Sequence, residues 1–270
     1  MVSKSNNTAG LDAVILCGGL GTRLREETEF KPKPMVEIGG RPILWHILKH
    51  YGAYGLERFV LCLGYKGDAI RDYFINYHNR SHDLEVDVGT GDLTVMPTPL
   101  EDELNCKVLL AETGLDSLTG RRMLRALPHV RGDMFLATYG DAVADVDIDE
   151  LVDTHKRMGK LATVTAVHPS SRFGELDIEG GVIRTFAEKP QVTQGWINGG
   201  YFVFQKKAFE LLRDDQNEML ESAILERLAE MGELAVHHHR GFWQCMDTVR
   251  EMQLLNDLWK SGDAPWRIWG

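Results

Sequence analysis

The sequence predicts an α/β fold, in which helices flank a mostly parallel, Rossmann-like sheet and a small β-containing C-terminal region follows. Three observations lead to this prediction. Short apolar strands alternate with helical segments up to about residue 168, glycines follow the first two strands, and shorter strands appear after Pro169. Alternating strands and helices are typical of a parallel sheet that is covered by helices.

The N-terminal residues show this alternation most clearly. Ala13–Leu16 is short, apolar and followed at once by glycines, which is typical of a buried parallel strand. Residues 41–54 form a predicted helix, because Pro42 suits a first helical turn and apolar side chains then recur at helical spacing. A second strand at Arg58–Leu63 and a second helix at 67–77 complete the unit.

The later elements are assigned by the same two periodicities. Strands are predicted at 108–110, 134–138 and Ala162–Val167, helices at 120–127 and 149–158, short strands at 176–178, 182–186 and 201–204, and further helices at 206–231 and 248–259. No Pro-, Gly- or Ser-rich linker divides the chain. We therefore expect a single domain over residues 1–270, with a flexible lead-in at residues 1–10.

Composition and charge restrict the class of protein. The chain has 270 residues, of which 43% are hydrophobic and 26% are charged, as in an ordinary soluble globular protein. A net charge of −10 argues against general nucleic-acid binding, which needs excess cations to neutralise phosphates. No apolar run approaches the ~18 residues of a membrane span. The polar lead-in also lacks the apolar core of a secretory signal, so we expect a cytoplasmic protein without membrane or nucleic-acid partners.

The cysteines do not indicate a zinc or redox motif. Cys17, Cys62, Cys106 and Cys245 are scattered without CxxC spacing. Both kinds of motif need paired cysteines. Cys17 and Cys62 lie in apolar strands, where a thiol usually serves as a small hydrophobic group.

A glycine-rich segment follows the first predicted strand directly. It consists of Leu16, Cys17, Gly18, Gly19, Leu20, Gly21, Thr22 and Arg23. A triphosphate needs backbone N–H groups at close range, and glycine permits both the close approach and positive φ angles. The segment is neither a Walker A loop nor a dinucleotide-binding fingerprint. Taken alone, it suits a simple turn between a strand and a helix equally well.

Two further residues suggest an anion site near this segment. Lys33 lies between Pro32 and Pro34, which restrict its backbone and predict a rigid, extended presentation of its ammonium group. A solvated basic turn is the alternative. Asp141 follows the predicted strand at 134–138, and ligands of open α/β sheets bind beyond the carboxyl ends of the strands.

Motifs along nearly the whole chain resemble those of the sugar-nucleotide pyrophosphorylases, and among them the cytidylyltransferases that act on glucose 1-phosphate. The matching segments are residues 16–23, 31–42, 44–46, 64–67, 119–120, 139–141, 172–174, 188–190, 197–200, 241–244, 246–248 and 264–266. They occur in the same order as in that family, which chance would not produce.

The resemblance implies a reaction and its participants. It implies a Mg²⁺-dependent nucleotidyltransferase that joins CTP, or another nucleoside triphosphate, to α-D-glucose 1-phosphate or another sugar 1-phosphate and releases pyrophosphate. It further implies a homo-oligomer that serves nucleotide-sugar and polysaccharide biosynthesis. Residues 11–168 would form the nucleotide-binding half, and residues 169–270 the sugar-binding half with possible subunit contacts. A regulator that kept the fold and lost catalysis is the alternative of a different class.

The resemblance also assigns roles to single residues. The nucleotide is expected at Leu16, Cys17, Gly18, Gly19, Leu20, Gly21, Thr22, Arg23, Lys33, Ser117, Arg122 and Gly140. The sugar phosphate is expected at Gly174, Glu188, Lys189 and Asn198. The expected magnesium ligands are Asp141 and Asp247, which form the catalytic set together with Lys33 and Arg23.

These residue types suit the reaction independently of the resemblance. A sugar phosphate is already a competent nucleophile at neutral pH, so no general base is required. The difficulty is to bring two polyanions together, which cations and a metal relieve. Magnesium prefers one or two carboxylates together with phosphate oxygens. Each aspartate also has a structural alternative, since Asp141 could cap the next element and Asp247 the helix that begins near Thr248.

Some positions depart from the family pattern. Ala142 and Arg121 stand where the family usually has glycine, Glu175 stands where it has a small residue, and residues 78–107 match poorly. The departures at Ala142 and Glu175 concern the sugar pocket, and the departure at Arg121 concerns nucleotide preference.

Two clusters are interpreted without a functional role. For the three consecutive histidines at 237–239 a solvated loop is expected, because neighbouring side chains point in different directions and cannot easily share an ion. The C-terminal tryptophans at 243, 259, 266 and 269 are expected to pack in the core or against another subunit.

Overall fold

A seven-stranded sheet forms the centre of the molecule. The computed structural model describes residues 6–21, 24–96, 103–169, 175–179, 182–187 and 195–269. The strands of the central sheet are β1 Ala13–Leu16, β4 Arg58–Leu63, β7 Lys107–Glu112, β8 Met134–Tyr139, β10 Ala162–Val167, β13 Ile197–Gln205 and β14 Leu234–His238. Across the sheet they lie in the order β14-β10-β13-β8-β1-β4-β7.

Four two-stranded ribbons accompany this sheet. They pair β2 Glu37–Ile38 with β3 Arg41–Pro42, β5 Asp83–Val86 with β6 Leu93–Met96, β9 Ala142–Ala144 with β15 Trp243–Cys245, and β11 Glu175–Glu179 with β12 Val182–Ala187.

The α-helices pack on both faces of the sheet. Those in the described residues are α1 Arg25–Thr28, α2 Ile43–Ala53, α3 Gly67–Ile75, α4 Tyr77–Ser81, α5 Thr119–Ala126, α6 Ile148–Met158, α7 Glu226–Glu230 and α8 Val249–Ser261. No helix in these described ranges is long and apolar enough to cross a membrane.

The strand β1 organises the core and one edge of the sheet. It runs parallel to β4 on one side and to β8 on the other, and all of its residues are buried. Its side chains alternate between two hydrophobic clusters, with Ile15 packing on the face covered by α2 and α6 and Val14 on the face covered by α5. Because the three strands are parallel, the loops that follow them leave from the same edge.

The predicted α/β class with a mostly parallel sheet is confirmed. The exception is β13, which runs antiparallel to both β8 and β10. This reversal brings the N-terminal end of β13, where Asn198 lies, to the edge at which β1, β4 and β8 end. The strands predicted at Ala13–Leu16, Arg58–Leu63 and Ala162–Val167 have those bounds in the structure.

The continuous helix predicted for 206–231 is wrong. The segment contains a 3-10 helix at Lys206–Leu211, a π-helix at Glu221–Leu225 and the short helix α7. Polar residues between the first two helices hydrogen-bond outside any helix, as Asn217 does when its side-chain oxygen accepts from Leu118 N at 2.7 Å. Aspartate and asparagine favour such local bonding over helical conformation.

The solvated loop expected at residues 237–239 is also wrong in part. His237 and His238 belong to the edge strand β14, where His237 is buried near Thr154 and His238 is exposed. His239 follows the strand and contacts the Asp145 carboxylate. The three rings therefore face different neighbours, as the strand periodicity requires.

The C-terminal tryptophans pack as the sequence predicts for core residues. Trp266 is fully buried and stacks on the rings of Phe242 and Trp259. Trp266 Nε1 also lies 3.3 Å from His46 Nδ1 on helix α2. The C-terminal residues thus close the α2 face of the core.

Candidate active site

A cavity of about 540 Å³ lies beyond the carboxyl ends of β1 and β8. Every described residue of the predicted nucleotide and metal sets lines it: Leu16, Cys17, Gly18, Gly19, Leu20, Gly21, Lys33, Ser117, Arg122, Gly140, Asp141 and Asp247. Thr22 and Arg23 lie outside the described residues. The fold therefore brings together residues from distant parts of the chain in one cavity.

The glycine-rich loop needs glycine for two separate reasons. Gly21 has a φ of +62°, a conformation that side chains other than glycine rarely adopt. A Cβ atom on Gly18 would lie 2.3 Å from the Arg122 guanidinium. Gly140 faces the same restriction, since a Cβ there would lie 3.0 Å from Leu16 O. At Gly18 and Gly140 the backbone therefore packs so closely on its neighbours that a Cβ atom has little or no room.

The side chain of Arg122 supports the glycine-rich loop through hydrogen bonds. Its buried guanidinium donates to four backbone carbonyl oxygens, one at the end of β4 and three in the segments that follow β1 and β7: Leu63 O at 2.8 Å, Gly18 O at 3.0 Å, Gly114 O at 2.8 Å and Leu115 O at 3.0 Å. A further bond reaches Thr113 Oγ1 at 3.0 Å. Burial lowers the pKa of Arg122, with weaker opposing effects from nearby groups. The guanidinium donors are engaged by protein atoms.

Ser117 has a comparable arrangement in the loop after β7. Its hydroxyl donates to Thr113 O at 2.6 Å and lies 3.4 Å from Arg125 Nη1. The side chain is almost fully buried, yet the residue lines the cavity. Ser117 therefore shapes the wall of the cavity through its backbone and its loop.

Lys33 joins the two aspartates that the sequence analysis assigns to a metal. Its Nζ lies 2.6 Å from Asp141 Oδ2 and 2.5 Å from Asp247 Oδ1. The Lys33 and Asp247 side chains are almost completely buried, whereas the Asp141 side chain remains about one-third exposed at 34%. Burial lowers the pKa of Lys33, but the charge and hydrogen bonds of the two aspartates outweigh it and raise that pKa.

The backbone around Lys33 differs from the prediction. Lys33 begins a 3-10 turn, Lys33–Met35, and the extended residues are Pro32 before the turn and Val36 after it. Pro34 occupies the first turn, where its fixed φ and missing N–H are tolerated. The extended presentation expected of Lys33 is therefore wrong, although both prolines do flank a buried ammonium group.

The two aspartates meet because a short antiparallel ribbon joins their segments. Strand β9 begins after Asp141 and pairs with β15, which ends before Asp247, with Ala142 opposite Cys245. Met246 N also donates to Asp141 O at 2.9 Å. The pairing holds both carboxylates at the same end of the ribbon.

The capping alternative fails for Asp247. The N-cap of α8 is Thr248, whose hydroxyl accepts from Glu251 N, while the Glu251 carboxylate accepts from the backbone N–H groups of Asp247 and Thr248. This reciprocal pair is a complete capping box. The Asp247 side chain turns to Lys33 instead.

The donor set at this point fits a divalent cation that prefers oxygen. Two carboxylates from separate segments converge on one ammonium group, which here occupies the place of a cation. Magnesium in nucleotide sites is commonly bound by one or two carboxylates, with phosphate oxygens and water completing its shell. Asp141 and Asp247 supply those carboxylates at the wall of a cavity large enough for a nucleotide.

The sugar side of the site is described only in part. Asn198, at the start of β13, accepts from Gly200 N through its side-chain oxygen at 2.8 Å. Gly174, Glu188 and Lys189 lie outside the described residues, as does the side chain of Glu175.

Two of the departures from the family pattern, Arg121 and Ala142, have side chains that the structure describes. Arg121 forms a 3.4 Å ion pair with Asp214 on the surface. Ala142 is buried in the ribbon beside the aspartates.

Sequence reasoning missed several residues that line the cavity, namely Pro34, Leu115, Asp116, Leu118, Thr119, Tyr139 and Met219. Most are direct neighbours of predicted residues, and the loop after a third parallel strand could have been included by the same edge rule. Met219 had no local signal, because the non-helical segment before the π-helix places it there. Tyr139 donates through its hydroxyl to Glu221 on that π-helix.

Comparisons with known proteins identify the family of this chain and support its fold. The model of the nucleotidyl transferase family matches residues 12–252. The chain is 47% identical over 260 residues to the glucose-1-phosphate cytidylyltransferases of Salmonella typhi and Salmonella typhimurium, a match that covers 96% of this chain and 100% of each relative. Among solved structures, HddC from Yersinia pseudotuberculosis has a TM-score of 0.64 at 23% identity, over 92% of this chain and 99% of that one. The structural likeness supports the fold alone.

Proposed function

Since this chain belongs to the nucleotidyl transferase family, we infer that it is a sugar-1-phosphate nucleotidyltransferase that converts CTP and α-D-glucose 1-phosphate into CDP-glucose and pyrophosphate. The observation that carries this inference is the convergence of Lys33, Asp141 and Asp247 at a cavity lined by a glycine-rich loop. The 47% identity to glucose-1-phosphate cytidylyltransferases supports the choice of both substrates.

The reaction exchanges one phosphoanhydride bond for another. An oxygen of the sugar phosphate attacks the α-phosphorus of CTP, and the bond from that phosphorus to the oxygen of the β-phosphate breaks as pyrophosphate leaves with the electron pair. The attacking oxygen is already anionic, so the chain need not supply a base. Its task is to position two polyanions and to stabilise the negative charge of the transition state.

We assign the metal to Asp141 and Asp247, which would hold Mg²⁺. When bound, this ion neutralises phosphate charge and polarises the phosphoryl group as a Lewis acid. The carboxylates already face a cation in this structure, since Lys33 Nζ lies within 2.6 Å of both.

Lys33 has a second part in this proposal. On substrate binding, its ammonium group exchanges the two carboxylates for phosphate oxygens. A lysine can do so because it is a compact charge on a flexible stem. Its raised pKa keeps the group charged at neutral pH.

The remaining assignments rest on the family resemblance. Thr22 and Arg23 complete the nucleotide loop, and Gly174, Glu188, Lys189 and Asn198 bind the sugar phosphate. A cytoplasmic homo-oligomer also remains a prediction of the resemblance.

The competing function is a nucleotide-sugar binding regulator without catalysis. Such a protein would have no requirement for both aspartates and the buried lysine at one cavity wall. Purified protein, Mg²⁺, CTP and glucose 1-phosphate should release pyrophosphate and form CDP-glucose in equal amounts. A regulator would bind the ligands without releasing pyrophosphate.

A substrate panel extends the same assay. CTP, UTP, dTTP and GTP are each tested against several sugar 1-phosphates, and CTP with glucose 1-phosphate is expected to give the highest kcat/KM. A higher value for another pair would keep the reaction class and reject the proposed substrates.

A further inference from the structure

Two histidines and a glutamate outside the cavity bring their metal-ligating atoms together. His78, His82 and Glu103 form a group, within the described part of the chain, whose ligand atoms all lie within 4.8 Å of one another. His82 Nε2 lies 3.2 Å from the Glu103 carboxylate, and the two imidazole centroids are 4.4 Å apart. The proposed nucleotidyltransferase reaction does not use these residues.

The chain positions these three side chains through its backbone. His78 belongs to helix α4 and His82 follows it at the i+4 position, so both rings project from the same side of the turn. Glu103 arrives from the far side of the β5–β6 ribbon. Leu104 N donates to the Tyr77 hydroxyl at 3.1 Å, which ties the backbone next to Glu103 to the residue that opens α4.

Helix α2 anchors both of these segments to the core. Trp45, which is buried, directs its Nε1 to the Tyr77 hydroxyl at 3.4 Å. Lys49 Nζ donates to Glu103 O at 3.4 Å. Helix α2 therefore contacts both of the backbone segments that carry the three ligands.

We propose that His78, His82 and Glu103 form a binding site for a borderline transition-metal cation of the Zn²⁺ class. Two imidazoles and one carboxylate are a common three-residue set for zinc, with water in the fourth position. Ligand atoms at the zinc bond lengths lie about 3.3 Å apart around a tetrahedral ion. The 3.2 Å between His82 and Glu103 already matches this spacing. The ligand nitrogen of the exposed His78 side chain lies within 4.8 Å of both of these atoms.

The ligand chemistry separates this site from the one at Asp141 and Asp247. Imidazole nitrogen suits zinc, nickel and copper, whereas magnesium takes oxygen ligands almost exclusively. The two sites therefore select different metals. The three ligands also belong to residues 78–107, which match the family pattern poorly.

The consequence of metal binding is local stabilisation. The ligands flank the β5–β6 ribbon, with His78 and His82 before Asp83 and Glu103 after Met96. A bound ion would join the two ends of this segment and reduce the freedom of the chain between them. Zinc is expected to raise the melting temperature and leave the kcat for CTP and glucose 1-phosphate unchanged.

The test is a Zn²⁺ titration of the full chain after removal of metals with a chelator. Competition with a chromophoric chelator gives the stoichiometry and the Kd, and wild-type protein should bind one Zn²⁺ per chain at this site even in excess Mg²⁺. His82→Ala and Glu103→Gln should each weaken binding by at least about tenfold, because loss of an outer partner alone costs about 10–100-fold in metal affinity. His129→Ala and His238→Ala, which change exposed histidines elsewhere, serve as matched controls.

The same variants provide a second readout. Zn²⁺ should raise the melting temperature of wild type and of both controls, and this rise should be absent in His78→Ala and His82→Ala. Zinc affinity equal in the His82→Ala and wild-type proteins would overturn the proposal. So would a wild-type protein that binds no zinc, in which case His82 and Glu103 form an ion pair only.

Discussion

The two buried cations that line the cavity, Lys33 and Arg122, have different kinds of hydrogen-bond partner. Lys33 lies between the carboxylates of Asp141 and Asp247, so its charge is balanced by opposite charge. Arg122 donates instead to four backbone carbonyl groups, one at the end of β4 and three in the loops after β1 and β7. A lysine held by carboxylates can exchange them for phosphate or leave them to a metal. An arginine held by the backbone has no comparable exchange, because moving it would leave buried carbonyl groups without donors.

The partners of Lys33 suit a role in the reaction, whereas the partners of Arg122 suit a structural role. The Lys33 region is a cluster of charges whose arrangement suits a change of partners during the reaction. The Arg122 side chain joins the glycine-rich loop to the end of β4 and to the loop after β7 through hydrogen bonds. Sequence resemblance assigned both cations to the nucleotide, and the structure gives them different surroundings.

The largest effect is expected from Lys33→Ala. Loss of a cation that stabilises the transition state should lower kcat by about 10²–10³-fold, as for other preorganised electrostatic groups. The fold should persist, although the two aspartates lose their buried partner. Steady-state rates and circular dichroism check both expectations. A near-normal kcat/KM would remove Lys33 from the phosphates.

Asp141→Asn and Asp247→Asn are expected to lower activity nearly as much as Lys33→Ala. Asparagine keeps the shape and most of the hydrogen bonding but removes the charge that holds a divalent ion. Each variant should fold normally, lose most activity and recover part of it at high Mg²⁺. The double variant should be little worse than the weaker single one, because the residues act as a unit.

Asp147→Ala is the matched control for these variants. Asp147 is the N-cap of α6, and its carboxylate accepts from Glu150 N at 2.9 Å. Loss of such a cap costs about 0.5–2 kcal/mol of stability and should leave turnover intact. The opposite pattern, with lowered melting temperature and normal turnover in Asp247→Asn, would make Asp247 a structural residue.

Arg122→Lys should have a smaller and different effect. Lysine keeps the charge but cannot reach four carbonyl groups in three directions, so buried acceptors lose their donors at about 1–3 kcal/mol each. The melting temperature should fall, and KM for CTP should rise more than kcat falls. Arg213→Lys is the control, since Arg213 is exposed and its guanidinium pairs with Asp215 on the surface. Equal effects in the two variants would contradict a loop-holding role for Arg122.

The smallest effect on turnover is expected at His50, a buried titratable residue that is not among those lining the cavity. Burial lowers the pKa of His50 to about 4, and the hydrogen bond to Val146 O at 2.9 Å does not compensate. Between pH 6.5 and about 4 the unfolded chain therefore binds a proton that the folded chain does not. Stability from this group is present above pH 6.5 and is lost as pH falls, by up to roughly 3 kcal/mol.

The measurement is the free energy of unfolding across this pH range in wild type and in His50→Gln. The variant is expected to have a shallower pH dependence, whatever its absolute stability. An unchanged slope would show that the buried imidazole does not govern acid sensitivity.

Much of the fold was predictable because its signals are local. The apolar run Ala13–Leu16 and the strand Arg58–Leu63 are each bounded by glycines, and their bounds were correct. The segment 206–231 was not predictable by periodicity, since polar residues there bond to loops distant in sequence. The strand at His237 and His238 was missed because only its pairing with β10 makes that segment a strand.

The candidate site was predictable in membership and less so in geometry. Edge position and family resemblance together selected a nucleotide and metal set whose described residues line one cavity, whereas Asn198 is not among the residues that line it. Neither signal indicates that Lys33 lies between Asp141 and Asp247, because that contact depends on the β9–β15 ribbon. Nor does either signal show that Arg122 is engaged by backbone carbonyl groups, which depends on how three segments pack.

The exchange of partners at Lys33 is tested most directly by a crystal structure of the protein with CTP and Mg²⁺. We expect an ion bound by Asp141 and Asp247, with Lys33 Nζ moved from the carboxylates to a phosphate oxygen. The Arg122 guanidinium should still donate to its carbonyl groups. A complex in which Lys33 still bridges both aspartates, with the ion held elsewhere, would contradict this expectation.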